Sequence, residues 1–198
     1  NQSDNRLSVL LGTGTGTFLP KTDFVTGPFP MSVAVGDFNE DQHLDLAVVS
    51  FGGGTVSIFL GNGAGSFGLL GDYGTAVAPN CVAVADFNGD GHLDLAVTSL
   101  ANNMVSVLLG RGNGTFAGKV DYPTGSCPRY VTSADLNGDG HTDLAVVDYV
   151  GNTVSVLLGV GNGTFAARTS YPTGSAPMGL MFRLVTPESL KAWMRSRT

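Results

Sequence analysis

Through residue 177 the hydrophobic positions of this chain fall in short bursts, without the three-to-four spacing of an amphipathic helix. One kind of burst is nearly continuous: Leu44-Asp-Leu-Ala-Val-Val-Ser50, repeated over 93–99 and 142–148. Apolar runs of this length between turn signals predict strands buried on both faces. Ahead of each lies a stretch in which valine alternates with small residues, at 32–38, 82–87 and 131–136. Small side chains there predict the crowded innermost strand of a radial sheet. A polar or glycine turn (52–54, 102–103, 151–152) leads to a third strand at 56–60, 105–109 and 154–158. Next comes a Gly-x-Gly-x-Gly run, such as Gly110, Gly112 and Gly114, in which glycine supplies positive φ for a hairpin or bulge. The fourth strand, around 119–122 and 167–171, is weaker and more polar, as an outer edge should be.

This order recurs with a period of 49 residues. Phe18, Phe67, Phe116 and Phe165 coincide on it, as do Pro30, Pro79, Pro128 and Pro177, and Gly12, Gly61, Gly110 and Gly159. Tyr73, Tyr122 and Tyr171 coincide too, with Phe24 in the first copy. Four strands per repeat of this length predict the blades of an all-β propeller. The ends are out of phase. Residues 5–11 match a third strand, and 178–185 can serve as a first strand, although Leu184 stands where a loop aspartate is expected. The expected organisation is therefore propeller repeats over 1–185, with strand-completing ends at 1–30 and 178–185, giving about four blades or a partial propeller. A tail at 186–198 reads as a short helix, with Thr186 as N-cap and Pro187 at its first position.

Between the first and second strands the chain carries Asp86-Phe-Asn88-Gly-Asp90-Gly-His92-Leu-Asp94, and two equivalents. Oxygen-bearing side chains occupy positions 1, 3, 5 and 9: Asp37, Asn39, Asp41 and Asp45; Asp86, Asn88, Asp90 and Asp94; Asp135, Asn137, Asp139 and Asp143. Position 7 is His43, His92 or His141, whose backbone carbonyl would close the ring while the imidazole points to solvent. Hard oxygen ligands in a flexible loop suit Ca2+, one ion per loop and up to three in all. Without a cation three such carboxylates repel one another. The first loop has Glu40 and Gln42 where the others have glycine, a cost on the order of 1 kcal/mol if positive φ is required there. An EF-hand is excluded, because Val48, Val97 and Val146 stand at position 12 where glutamate would be needed.

Charge agrees with that chemistry. The formal net charge of −6 is matched by nine aspartates in the three loops, and three Ca2+ ions would bring the total near zero. No basic stripe exists, which argues against nucleic acid. Hydrophobic content of 42% is enough for a core, while 29 glycines and 13% charged residues suit short strands joined by tight turns. Cys81 and Cys127 lie at non-equivalent repeat positions; a disulfide and two free, partly buried thiols are both open, the thiols being the simpler reading. No apolar run approaches membrane-spanning length and no leader peptide is read. Loops of this kind are most useful where calcium is millimolar, so an extracellular or periplasmic setting is expected. The Gly-x-Gly-x-Gly runs open no helix and are read as turns, not as a nucleotide fingerprint. Asn113-Gly-Thr115 and Asn162-Gly-Thr164 fit a glycosylation acceptor and, equally, turn chemistry.

Phe67-Gly68 followed by Ala78-Pro79, and Phe165 followed by Gly174-Ser-Ala-Pro177, resemble the FG-GAP repeat. The acidic loop is similar to the calcium loops of integrin α-subunit propellers and related secreted repeats. The resemblance covers residues 4–183. It implies a seven-bladed ring in full-length members, with calcium between the first and second strands of a blade. This chain has too few repeats for that ring, so a second copy completing it is one expectation.

The expected function is non-catalytic: a calcium-stabilised recognition or adhesion module. Its protein or carbohydrate ligand would lie on the face opposite the calcium loops, near 75–80 and 124–130. A lectin with pockets between blades, or an accessory domain of a larger secreted enzyme, are the alternatives. Identical acidic loops on every blade argue against an active site, which is normally a single convergent constellation. The repeating Phe and Tyr are read as packing between blades.

Overall fold

A computed structural model describes residues 1–179; the readings placed on 180–198, including the helical tail, lie outside the described residues. Fourteen strands form three four-stranded antiparallel sheets and one two-stranded sheet, with no helix among the described residues. The two-stranded sheet pairs β1 (Arg6–Val9) with β2 (Thr22–Val25). The first full sheet runs β3 (Pro30–Gly36), β4 (Asp45–Ser50), β5 (Thr55–Gly61), β6 (Phe67–Gly74). The second runs β7 (Pro79–Ala85), β8 (Asp94–Ser99), β9 (Met104–Leu108), β10 (Val120–Pro123). The third runs β11 (Pro128–Ala134), β12 (Asp143–Asp148), β13 (Thr153–Leu157), β14 (Thr169–Pro172). Strands β3, β7 and β11 neighbour one another across sheets, so each blade turns its small-residue strand inward, as a radial array requires.

The burial pattern follows the sequence pattern. Every residue of β4, β8 and β12 is buried, matching their continuous apolar runs. The outer strands β6, β10 and β14 contain no buried residue. Two cores fill the gaps between consecutive blades. One gathers Phe38, Ile58, Leu95 and Phe116, the next Phe87, Val107, Leu144 and Phe165. A third, smaller cluster seats Leu7 and Val9 of β1 against Leu46, Val48 and Phe59. The repeating aromatics are thus inter-blade packing, as expected.

The inner strands begin and end about two residues earlier than the pattern predicts. Each starts on its proline, followed by a register shift after Pro30, Pro79 and Pro128. Each stops before the loop because Phe38, Phe87 and Leu136 turn their amides away from the ladder onto a carboxylate. Met178 and Gly179 are not in a strand. The linkers ahead of the inner strands hold a non-glycine residue in the left-handed region, Phe29, Ala78, Cys127 and Ala176, with φ of 52–60°. Asn5, Asn103 and Asn152 tie those linkers down by accepting the amides of Phe29, Cys127 and Ala176. Cys81 is buried and Cys127 half-buried, both as free thiols, and burial pushes the Cys81 thiol up. No helix among the described residues is long and apolar enough to cross a membrane, which says nothing of a β-barrel.

Candidate metal centre

Each acidic loop is the connection of the innermost hairpin. Its closing pair is Gly36 with Asp45, Ala85 with Asp94 and Ala134 with Asp143, so position 9 is already the first residue of the buried strand. That placement takes Asp45, Asp94 and Asp143 fully out of solvent. Asp94 has both carboxylate oxygens occupied: Oδ2 accepts the Phe87 amide at 2.8 Å and Oδ1 the Gly110 amide at 2.7 Å. Asp45 holds Phe38 and Gly61, and Asp143 holds Leu136 and Gly159, in the same way. Position 9 therefore clips the loop to the turn between the third and fourth strands.

Positions 1, 3 and 5 form a chain of loop hydrogen bonds. Asp86 accepts the amides of Gly89 at 2.7 Å and Gly91 at 2.9 Å; Asn88 Oδ1 accepts Asp90 N; Asp90 Oδ1 accepts His92 N. Asp135, Asn137 and Asp139 repeat this with Gly138, Gly140 and His141. Asp37 binds the amides of Asp41 and Gln42 instead, Asn39 binds Asp41 N and Asp41 binds His43 N. Among the described residues no three His, Cys, Asp or Glu side chains converge as a ready metal cluster. In these positions the loop oxygens face backbone amides.

The donor set nonetheless fits a hard divalent cation. Each loop carries three aspartates, the first also Glu40, and among the described residues none of these carboxylates pairs with Lys or Arg; the two such ion pairs are Lys21–Asp23 and Lys119–Asp121. The strain shows at Asp94, pushed up to about 6 by burial, partly offset by its bonds to Gly110 and Phe87 and reinforced by the charges of Asp90 and Asp86. Asp41, Asp90 and Asp139 are held below the usual carboxylate range, chiefly by the amide of the position-7 histidine.

Two features of the loops differ from the sequence expectation or exceed it. His43 and His141 are exposed and His92 half-exposed, and each ring also lies against the middle glycine of its own blade's turn. A Cβ on Gly63, Gly112 or Gly161 would stand 2.4–2.6 Å from ring atoms of His43, His92 or His141. In the first loop Glu40 and Gln42 do adopt positive φ, at 61° and 69°. Glu40 then reaches across to the His92 ring of the next blade and holds that imidazole above its ordinary value. The first glycine of the turn has a separate reason: a Cβ on Gly61, Gly110 or Gly159 would meet the carbonyl oxygen of Leu44, Leu93 or Thr142 at 2.1–2.3 Å. Asn113 and Asn162 cap their turns by accepting Thr115 and Thr164, which accounts for the glycosylation-like triplets.

Radially arranged four-stranded sheets, each with an acidic loop in its first hairpin, define this chain as a protein of the β-propeller repeat class. Residues 1–48, 41–97, 86–146 and 135–183 each match the FG-GAP-like repeat, and the chain belongs to that family. No curated protein sequence is significantly similar to it. Solved structures share the fold at low identity. A functionally unknown protein from Desulfotomaculum acetoxidans matches at TM-score 0.64 and 15% identity, over 84% of this chain and 51% of that one. The periplasmic gluconolactonase of Pseudomonas aeruginosa matches at TM-score 0.61 and 19% identity, over 83% and 44%. An Agrocybe aegerita lectin that recognises non-reducing terminal N-acetylglucosamine matches at TM-score 0.56 and 20% identity, over 84% and 47%. The chain thus spans about half the length of the structures it matches.

Proposed function

We propose that this chain is a calcium-stabilised recognition module, non-catalytic and working in an extracellular or periplasmic setting. The observation that supports it most is the buried carboxylate of Asp94, set beside Asp86 and Asp90 with no Lys or Arg partner among the described residues; the burial recurs at Asp45 and Asp143. Asp86, Asn88, Asp90, the His92 carbonyl and Asp94 would hold Ca2+ in the second loop, with the equivalent residues in the others. The ion would neutralise the loop and fix the hairpin, without taking part in a reaction. A protein or glycan ligand would use the opposite rim, where Phe29, Phe51, Val77, Tyr130 and Val150 are exposed.

Isothermal titration of chelator-treated protein tests the metal: uptake of two to three Ca2+ per chain supports the reading, and no heat with Ca2+ at millimolar concentration refutes it. A lectin-like use is the second reading, favoured by the cleft of about 310 Å³ between the second and third loops, lined by Asp86, Phe87, Gly140, His141 and Thr142. Multivalent binding on a glycan array supports that reading, and complete silence removes it. The gluconolactonase among the fold neighbours is a reminder that this architecture also carries enzymes. Lactone hydrolysis by the chain, lost on replacing one unrepeated residue, would overturn the non-catalytic assignment.

A further inference from the structure

The two junctions between full blades are built from equivalent residues, so one can be laid on the other. Between the first and second loops, Glu40 sets its carboxylate against Nδ1 of the His92 ring. A Cβ on Gly112 would meet that ring at 2.5 Å and Glu40 Oε1 at 2.7 Å, so the carboxylate lies beside the imidazole and over the turn. Between the second and third loops the equivalents are Gly89, His141 and Gly161. The ring again rests against its glycine, but the three atoms nearest a Cβ on Gly161 all belong to His141. Among the described residues His92 is the position-7 imidazole that has a side-chain partner, and the His141 ring has none.

Gly89 leaves a space where Glu40 fills one. That space is the cleft of about 310 Å³, lined by Gly89, His141 and Gly161 together with Asp86 and Thr142. Its volume sits at the lower end of the range for small-molecule sites. A Cβ on Gly89 would meet nothing nearer than the Gly161 carbonyl oxygen at 3.8 Å.

We propose that this cleft binds a sugar acid of monosaccharide size, whose carboxylate takes against His141 the place that Glu40 takes against His92. The chain itself thus displays the recognition once, with its own side chain as the ligand. Nδ1 of His141 donates to the carboxylate, which can only accept. Asp86, Thr142 and the Gly161 carbonyl then face the body of the ligand, and hydroxyl groups satisfy such partners where an apolar body would leave them unpaired. The flanking aspartates oppose an anion. The first junction carries the equivalent aspartates and still holds Glu40, helped by the high local concentration of a tethered group. A free ligand forgoes that help and should bind with a dissociation constant on the order of 1–10 mM. The inference rests on the lectin-like reading for its cleft and narrows the ligand to an acidic one; its geometry needs no ion in the loops.

Nuclear magnetic resonance of the histidine rings in the full chain, titrated with glucuronate in calcium and in chelator, tests it. The His141 signals should shift saturably, while those of His92, already covered by Glu40, stay fixed. Gly89→Glu supplies the missing carboxylate at a φ of 76°, close to the 61° that Glu40 adopts, and should weaken binding at His141 at least about tenfold. Glu40→Gly should uncover the first cleft and bring His92 to respond as well. Equal binding of methyl glucuronide supports a glycan terminus as the source of the ligand, and its exclusion a free acid. His141 signals unmoved in both buffers, undiminished binding by Gly89→Glu, or a His92 still silent in Glu40→Gly overturns the proposal. So does equal binding of methyl glucoside, a neutral sugar, at His141, a result under which the lectin-like reading still stands.

Discussion

Asp94 and Asp90 belong to one loop, yet the structure assigns them separable contributions to stability. Asp94→Ala strands the amides of Phe87 and Gly110, both bonded at 2.7–2.8 Å in a fully buried site. An unsatisfied buried donor costs about 1–3 kcal/mol, so the substitution should cost about 2–6 kcal/mol already in chelator, with any calcium increment lost in addition when the ion is present. Asp90 is exposed, and its bonds to His92 N and the Asn88 amide are local to the loop. Asp90→Ala should therefore change stability by no more than about 0.5 kcal/mol in chelator. With calcium at a hundredfold excess over its dissociation constant, binding as proposed would add about 2.7 kcal/mol per site. Asp90→Ala should forfeit that increment at the second loop, lowering the melting temperature by about 5–10 °C for a chain of this size. Calorimetric melts of the wild type and both variants, each in millimolar calcium and in chelator, provide the comparison. If Asp90→Ala lowers the melting temperature equally in both conditions, the loop's role is structural and the metal assignment fails. If Asp94→Ala is near neutral in chelator, the clip between loop and turn is not what holds the hairpin.

Further substitutions probe positions where the repeats differ or the geometry is tight. Gly112→Ala places a Cβ against the His92 ring and Glu40 at a φ of 65°, and should cost about 1–3 kcal/mol in urea unfolding. Gly118→Ala, with open space around it, should be neutral or slightly stabilising; equal costs at both sites would remove the packing argument. In the first two blades Ser57 and Ser106 donate to Asp72 and Asp121 on the outer strand, but in the third, where residue 170 is serine, Ser155 donates to Asp148. Asp148 is fully buried with Oδ1 unpartnered, and burial pushes its carboxyl up. An acid raised in the folded state stabilises least at high pH: the penalty is absent below the unfolded carboxylate range and grows as pH rises towards the raised value. The double exchange Asp148→Ser with Ser170→Asp restores the arrangement of the other blades. It should raise stability at pH 7 by about 1–3 kcal/mol and leave little gain at pH 3; a double variant weaker than the wild type at pH 7 refutes this account.

The strands, their order and the acidic loops were legible because each is set by a local period. Continuous apolar runs gave β4, β8 and β12, and alternating oxygen-bearing residues marked the loops. What was not legible depends on partners distant in the chain. The repeat spacing marks Asp94 as a loop residue but does not show that its two oxygens face Phe87 N and Gly110 N, sixteen residues away in the second case. The sequence reading sends the position-7 imidazole to solvent; that the ring also rests against the turn glycine appears only once the turn is folded beneath it. The exchange of aspartate between positions 170 and 148 could have been noticed by laying the repeats together. Its meaning required the cross-strand register that places Ser155 opposite Ser170 and Val146.

The second position of the loop is where metal chemistry and blade packing meet. Phe87 gives its amide to Asp94, its carbonyl to Gly163 of the next blade and its ring to Phe165. Phe38 does the same with Asp45, Gly114 and Phe116. An ion held by positions 1, 3, 5 and 9 would therefore fix the residue between positions 1 and 3 from both sides. Any order it brings to the loop is passed through one side chain and one carbonyl to the following blade. Removing the ion would loosen the hairpin first and the junction next, so calcium dependence should appear in the cohesion between blades as well as within each one. In the third blade Leu136 keeps the amide bond to Asp143 but has no following blade among the described residues to receive its carbonyl and side chain. The metal affinity of that loop should respond to whatever packs against Leu136, because among the described residues its carbonyl and side chain have no following blade to engage.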